Sequence, residues 1–545
     1  MATMQSPVTF IVFFACALAA ALGSASARAQ ECAAPAIENK PITMTYRGVE
    51  TLAITLTASA DGTVRATDSE TGATLWTFTA PEAIAARERG LTGLISSPRV
   101  LRFDAEGDGA VDVGDGDRVW LYFGLRRAGP FYYALDISDP SRSRVLWKRG
   151  ADSLKGLADA WSPPAIARVR LSGAAQNGEH FVLIIGGGYA NATSVSAGNR
   201  IFMLDAATGQ RLWSAGGVSP DETPDLQLEK MIHPVPAGVA VLDVDGDDYA
   251  DRFYAVDLAG QVFRFDVWNG RARTELVTGG VLADLSAPAS PGLPVNGSAR
   301  FFNRPDVALI VPRAGAPYYN VALGSGDADG TAPPLVPNRF YSIRDSNAFT
   351  ALTQPAYDGL DTILATDLID ITADVNARVP RDAKGWRMDL APPDVLALGE
   401  QVLSESITVN KVVLFTTYQP ERSPESAPAD DGACEQTGSS RVYAVRVDSG
   451  AAAVDLDSDG EITPSDRSLE MQHAGPPAAV SIEIATPSAG GTVRPPTDAP
   501  PDNPGAPQPP SPNEAVQCIV GTRVLKTCVP FSPLQRTYWH HATVE

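Results

Sequence analysis

Three stretches of this chain space carboxylates so that their oxygens can turn toward one point. In Asp104-Ala-Glu-Gly-Asp-Gly-Ala-Val-Asp112 the acids fall at loop positions 1, 3, 5 and 9, Gly109 holds position 6, and Asp115 stands at position 12. A glycine at position 6 supplies the sharp turn that such loops need. In the second stretch Asp243, Asp245, Asp247 and Asp251 repeat the spacing, but Asp248 stands where the glycine is expected. Aspartate tolerates left-handed backbone better than most residues. The third stretch, Asp455-Leu-Asp-Ser-Asp-Gly-Glu-Ile-Thr-Pro-Ser-Asp466, has Asp at positions 1, 3, 5 and 12, Gly460 at 6, apolar Ile462 at 8 and Thr463 at 9. That is the spacing of an EF-hand loop with Asp replacing Glu at the last position. A hard divalent cation, calcium above all, collects oxygens in this way. The ligand positions expected are Asp104, Glu106, Asp108, Ala110 and Asp112 in the first loop, and Asp455, Asp457, Asp459, Glu461 and Asp466 in the third. The alternative for each loop is an acidic turn that only keeps the surface soluble.

Other chemistry is thinly represented. The chain has five histidines, and His540-His541 reads as a tail doublet rather than a metal site. No Gly-x-Ser-x-Gly, His-Glu-x-x-His or Cys-x-x-Cys occurs, which removes the usual nucleophile elbow, zincin and redox signatures. Gly186-Gly-Gly-Tyr follows the strand-like Phe181–Ile185 but lacks phosphate-loop spacing, so it reads as a tight strand exit. Acids outnumber basic residues 64 to 43, a formal charge of −21, which argues against nucleic acid as the main partner. No enzyme activity is expected.

The elements that must carry these loops are β-strands. The 47 glycines and 44 prolines of the 545 residues favour a loop-rich β architecture. A unit of strand, Asp/Gly turn and strand ending in Leu-Trp or its like recurs. It runs through Asp68 to Trp76, Asp136 to Trp147, Asp205 to Trp213 and Asp266 to Trp268, with weaker copies at Phe340–Asp345 and Val442–Gly450. The four anchoring aspartates are spaced by 68, 69 and 61 residues, longer than the roughly 40–50 residues of an ordinary propeller blade. Inserted loops account for the excess. The expected fold is therefore all-β, a β-propeller of six to eight blades with inserted calcium-binding loops; the Asp-x-x-Thr-Gly-x-x-Leu-Trp form resembles the blades of quinoprotein-like propellers, which implies tryptophans packed between blades. A short helix is expected near Thr362–Leu368, and the tract from Phe301 to Gly326 reads as strands of a later blade.

The ends read differently. Residues 1–29 are expected to be a signal peptide, with an apolar Val8–Leu22 and small residues before a cut after Ala27 or Ala29. The propeller is expected over 30–486, a Pro-rich linker or loop over 487–515, and a closing segment over 516–545. Four cysteines remain after the leader. We pair Cys518 with Cys528, which leaves Cys32 with Cys434; four cysteines allow three pairings.

Beyond these readings, the stretches Ser97–Asp112, Gly116–Pro140 and Leu242–Asp266 resemble the C-terminal propeller of the PilC/PilY family of type IV pilus tip proteins. The resemblance runs from about residue 50 to 480. It implies a modified seven-bladed propeller acting in pilus biogenesis, extension and retraction, twitching motility and adhesion. With the leader, which predicts export through the Sec pathway, it implies a place in the periplasm, outer membrane and cell-surface pilus. The implied partners are minor pilins and the fibre tip, with the outer membrane or a host surface beyond them. It also implies one functional calcium loop whose occupancy opposes retraction, made here of Asp243, Asp245, Asp247, the Tyr249 carbonyl and Asp251. Longer family members carry a von Willebrand A-type region ahead of the propeller, whereas here the leader is followed almost at once by the first repeat. Two rival readings stand beside this one. One is a periplasmic quinoprotein-like oxidoreductase, for which the vicinal cysteine pair is missing. The other is a scaffold propeller whose calcium is purely structural.

Overall fold

The structure is a computed structural model. It describes residues 41–471, apart from 49–50 and loop segments 174–177, 191–196, 218–221, 287–299, 330–336, 375–377, 393–398 and 422–437, together with 476–484, 516–520 and 523–524. The leader, the Pro-rich tract, the histidine doublet, Cys32, Cys434 and Cys528 lie outside the described residues, while Cys518 falls on the strand Val516–Val520.

Seven sheets follow one another along the described chain. The first is built from Ile42–Arg47, Thr51–Ala58, Thr63–Asp68 and Thr74–Thr79, and the second from Arg99–Phe103, Arg118–Gly124, Phe131–Asp136 and Arg144–Gly150. The third runs Ala165–Leu171, Gly178–Gly186, Arg200–Asp205, Arg211–Gly216; the fourth Ala240–Leu242, Arg252–Val256, Gln261–Val267, Val277–Asp284. The fifth runs Asp306–Ile310, Tyr318–Gly324, Arg339–Asp345, Gly385–Asp389; the sixth Ile407–Val409, Val412–Pro420, Gly438–Arg446, Ser468–Met471. Each of these six is an up-and-down antiparallel meander. The seventh pairs Val480–Ile484 with Val516–Val520 and that strand with Arg523–Val524, so its strands come from both sides of the Pro-rich tract.

This is the β-propeller that the repeats predict, and its packing explains why they read faintly. A blade is covered on both faces, so its middle strands lose the in-out alternation of a half-buried sheet. Gln261–Val267 is buried at all seven positions. The apolar core is a series of layers between neighbouring blades. Met44, Leu56 and Trp76 pack with Leu121 and Phe123 of the next blade; Tyr122 and Trp147 pack with Leu183 and Phe202; Trp213 packs with Phe253 and Phe265.

The Asp-x-x-Thr-Gly turn forms the joint between blades. Trp147 Nε1 donates to the Ala206 carbonyl at 2.9 Å, and a Cβ on Gly209 would lie 2.7 Å from the indole. Gly209 also holds a φ of 66°, so only glycine suits the position on both counts. The same joint recurs where Trp386 Nε1 donates to the Val447 carbonyl at 2.8 Å.

The third-to-fourth connection of the fifth blade, residues 346–384, is the long exception. Its Ile363–Leu364 adds a parallel edge to the fourth blade, and Ile369–Asp370 adds one to the fifth. The helix expected near Thr362–Leu368 is instead this short strand followed by a 3-10 turn over Ala365–Asp367. Pairing with Ala283 and Asp284 requires extended backbone there. Covering the edges blunts unpaired backbone groups.

In a meander, first-to-second and third-to-fourth connections lie at one end, and second-to-third connections lie with the links between blades at the other. Residues 104–117 and 243–251 are first-to-second connections, and 455–466 is a third-to-fourth one. All three acidic loops therefore stand at the same end of the propeller. Among the described residues, no helix is long and apolar enough to cross a membrane.

Candidate metal centre

The loop after Ala240–Leu242 brings Asp243, Asp245, Asp247 and Asp251 together, with one carboxylate oxygen from each lying within 4.8 Å of the others. The backbone explains the convergence. Asp243 Oδ1 accepts the amides of Gly246 (2.6 Å) and Asp247 (3.2 Å), and its Oδ2 accepts that of Asp248 (2.9 Å). Asp247 accepts the Tyr249 amide at 3.0 Å. Asp251 Oδ2 reaches back to accept the amides of Val244 (2.7 Å) and Asp245 (3.2 Å), closing the loop. Burial, and then the like charges of Asp245 and Asp243, push the Asp251 carboxyl above its ordinary pKa against the pull of the Val244 amide. Asp248 adopts a φ of 68°, the left-handed geometry that its side chain tolerates.

The other two loops share this plan to within a few tenths of an ångström. Asp104 accepts the amides of Gly107, Asp108 and Gly109 at 2.7, 3.3 and 2.8 Å; Asp455 accepts those of Ser458, Asp459 and Gly460 at 2.7, 3.2 and 2.9 Å. In all three loops positions 4 and 6 have positive φ. The carboxylates that meet are Asp104, Glu106 and Asp117 in the first, and Asp455, Asp457 and Asp459 in the third.

Several expected ligand positions stand outside these groups. Asp108 is ion-paired with Arg47, and Asp112 accepts the Gly114 amide at 2.9 Å. Ala110 and Glu461 receive their neighbours' carboxylates at the backbone, through amides bonded to Asp108 and Asp459 at 2.9 and 2.8 Å. Asp466 is buried and accepts the amides of Leu456 (2.8 Å) and Thr463 (2.8 Å). Burial works upward on its carboxyl, and these amides together outweigh it and hold the pKa low. Asp466 thus closes its loop as Asp251 does.

Asp117 is the residue that spacing missed. Its two oxygens accept the amides of Ala105 and Asp112, both at 2.9 Å. It closes the first loop from position 14, where Asp251 and Asp466 close theirs from 9 and 12. A signal was present: each closing acid is followed by arginine, at the head of the next strand in Asp117-Arg118 and Asp251-Arg252 and one residue before it in Asp466-Arg467.

The 243–251 loop is tied to both neighbouring blades. Tyr249 lies between Arg168 and Arg170 of the third blade, whose guanidinium carbons stand 4.8 and 4.3 Å from its ring centroid, and its hydroxyl donates to Glu179. On the other side, Arg252 donates to Asp266 (2.7 Å) and to the Ala348 and Thr350 carbonyls of the fifth blade's long connection. Arg264 bridges Asp266 and Asp345 at 3.0 and 2.9 Å. These four charges are buried and balanced.

The donor chemistry fits calcium. The converging groups are carboxylates, hard oxygen donors with no thiolate or imidazole among them. Four like charges this close repel unless a cation stands among them.

The fold and the loops define a β-propeller with acidic insertions at one end. No family model matches the chain. The type IV pilus biogenesis factor PilY1 of Pseudomonas aeruginosa is 25% identical over 370 residues, covering 57% of this chain and 28% of that protein. A PilY1 homolog of Xylella fastidiosa is 25% identical over 356 residues, 61% of this chain and 22% of its own length. The chain therefore spans under a third of the length of these relatives. The crystal structure of the P. aeruginosa PilY1 C-terminal domain superposes with a TM-score of 0.57 at 17% identity, covering 88% of this chain and 93% of that one. The resemblance carried by the acidic stretches thus holds in sequence and in fold.

Proposed function

We propose that this chain is a calcium-binding propeller serving type IV pilus biogenesis, acting by binding rather than by catalysis. The observation that carries the reading is the convergence of Asp243, Asp245, Asp247 and Asp251 within 4.8 Å on a loop clamped to both adjacent blades. Its pilus role is supported by relatives named as pilus biogenesis factors. A bound calcium ion would cancel the carboxylate repulsion and brace the two ends of the loop. On this reading occupancy of 243–251 governs pilus extension against retraction, and with it twitching motility and adhesion. The partners are pilus-tip components outside the inner membrane, and 104–117 and 455–466 stabilise their own blades.

Calcium titration of the purified chain by calorimetry tests the site, repeated with Asp247→Ala and Asp251→Ala. Binding untouched by both substitutions would sink the assignment. Piliation and motility of strains carrying the same variants test the role. Dye reduction by the purified protein with alcohols would instead favour the oxidoreductase.

A further inference from the structure

Among the described residues, the end of the propeller opposite the acidic loops holds a cation that no carboxylate pairs with. Arg126 and Arg127 lie in a second-to-third connection of the second blade, Tyr189 in that of the third and Asp329 in that of the fifth. Trp161 and Phe302 lie in the links entering the third and fifth blades. Arg127 pairs with Asp329 at 3.1 Å, and Tyr189 donates to the same carboxylate at 2.7 Å. Blades two and five are not neighbours in a ring of seven, so this contact closes over the propeller axis. The rings of Trp161, Tyr189 and Phe302 meet there with centroids 4.8 to 5.9 Å apart.

The Arg126 guanidinium sits 3.9 Å above the Trp161 ring. Among the described residues no carboxylate pairs with it and no carbonyl accepts from it, although acids are near. Asp329 is engaged by Arg127 and Tyr189, and Asp327 by Arg300 at 3.0 Å. Asp159, in the link entering the third blade, has its carboxyl pushed up to about 6 by burial and then by Asp329, the behaviour of a carboxylate with no cation beside it. Burial and the like charge of Arg127 hold the Arg126 guanidinium down to about 10. Trp161 is buried with its Nε1 lacking an acceptor. A half-buried cation and a buried donor are thus left unsatisfied side by side, which is costly unless a ligand answers them.

We propose that this axial mouth binds a carboxylate borne on an apolar group, with Arg126 taking the carboxylate and the Trp161, Tyr189 and Phe302 rings taking the apolar part. A guanidinium matches a carboxylate in two parallel hydrogen bonds. A single uncompensated cation suits a singly charged anion, and the chain's charge of −21 repels polyanions. Mouths of closed β structures are a common place for such sites.

Calorimetry of the purified chain with N-acetylphenylalanine, and with its uncharged amide, tests this. The acid is expected to bind at least about tenfold more tightly than the amide, and Arg126→Gln, once its melting shows it folded, is expected to abolish that preference. Two peptides distinguish the source of the carboxylate, one ending in a free phenylalanine carboxylate and one amidated with an internal glutamate. Equal binding of acid and amide, or no binding of either to about 10 mM, overturns the proposal. That comparison on the unaltered chain stands whatever becomes of the variant.

Discussion

The loops at 243–251 and 104–117 share a skeleton and differ in their attachments. In both, the first aspartate caps three amides and a distant aspartate folds back to close the turn. Around 243–251 four carboxylates converge, Tyr249 is held by the third blade, and the arginine after the closing acid enters a buried charge network that reaches the fifth. Around 104–117 three converge, Asp108 is drawn off by Arg47, and the arginine after the closing acid, Arg118, is exposed. A ligand shifts a structure only by interacting differently with its alternative states. Occupancy of 243–251 can thus be felt on both sides of its blade, whereas 104–117 is tied to one neighbour, the first blade, through the backbone pairing of Val111 with Thr45 and Arg47 and the Asp108–Arg47 ion pair. The same local sequence device is braced on two sides or on one according to what its flanking residues touch.

The two arginines give the sharpest way to break this comparison. Arg252→Met leaves Asp266 and Asp345 buried with one guanidinium between them, and should cost about 3–5 kcal/mol. Arg118→Met should stay within about 0.5 kcal/mol. Chemical denaturation of both variants measures the pair, and similar losses would show that the network carries no special weight. The closing acids come next. Calcium at about 100 times its dissociation constant should stabilise the chain by about 2.7 kcal/mol, reversed by chelation. Asp251→Asn should remove most of that gain and Asp117→Asn a minor share. A larger loss from Asp117→Asn would reverse the ranking of the two loops.

The sequence shows the first half of each loop plainly, because caps at positions 1, 3 and 5 act over a few residues of backbone. The closing acid is harder to see. Its distance from the start varies as intervening residues loop out, so a fixed register selects Asp112 and Asp115 and passes over Asp117. Only the shared Asp-Arg pair marks it. The blades are legible where the Asp-x-x-Thr-Gly turn meets a tryptophan soon after, as at Asp68 and Trp76 and at Asp205 and Trp213. The fifth blade hides its joint because residues 346–384 separate Asp345 from Trp386. The seventh hides because the Pro-rich tract divides its strands and no such turn announces it. Arg126 could not be singled out, since its isolation depends on loops from three blades meeting at the axis.

A carboxylate at the other end gives the contrast a pH dimension. Asp257 is fully buried and accepts the amides of Ala259 and Gln261, both at 2.9 Å. Burial outweighs those amides and raises its pKa from the ordinary 3.8 to about 7. The folded chain therefore binds this proton more tightly than the unfolded one, so stability falls as pH rises from about 4 through about 7. With a chelator present to silence the acidic loops, the melting temperature should drop between about pH 4 and pH 7, and Asp257→Asn should remove its share of that slope, leaving what Asp306, raised to about 7, and Asp159, raised to about 6, contribute. An unchanged slope would place the titration elsewhere.

The smallest expected effect concerns Asp248, where the 243–251 loop departs from its two siblings. Its φ of 68° matches the 77° of Gly109 and the 96° of Gly460, and its side chain is exposed, outside the group of four carboxylates. Relief of left-handed strain favours glycine there, while glycine's freer unfolded chain offsets part of the gain. Asp248→Gly should therefore change metal-free stability by no more than about 1 kcal/mol. Asp248→Asn separates backbone from charge, because asparagine accepts the same geometry without the carboxylate. If the fifth acid serves to draw in the cation, both variants weaken calcium binding alike and more so at low salt, where exposed charges act over a longer range. If it merely holds the turn, Asp248→Asn binds as the parent does. Calorimetry at two ionic strengths decides between them, and the reciprocal Gly109→Asp asks whether the same charge can be lent to the simpler loop.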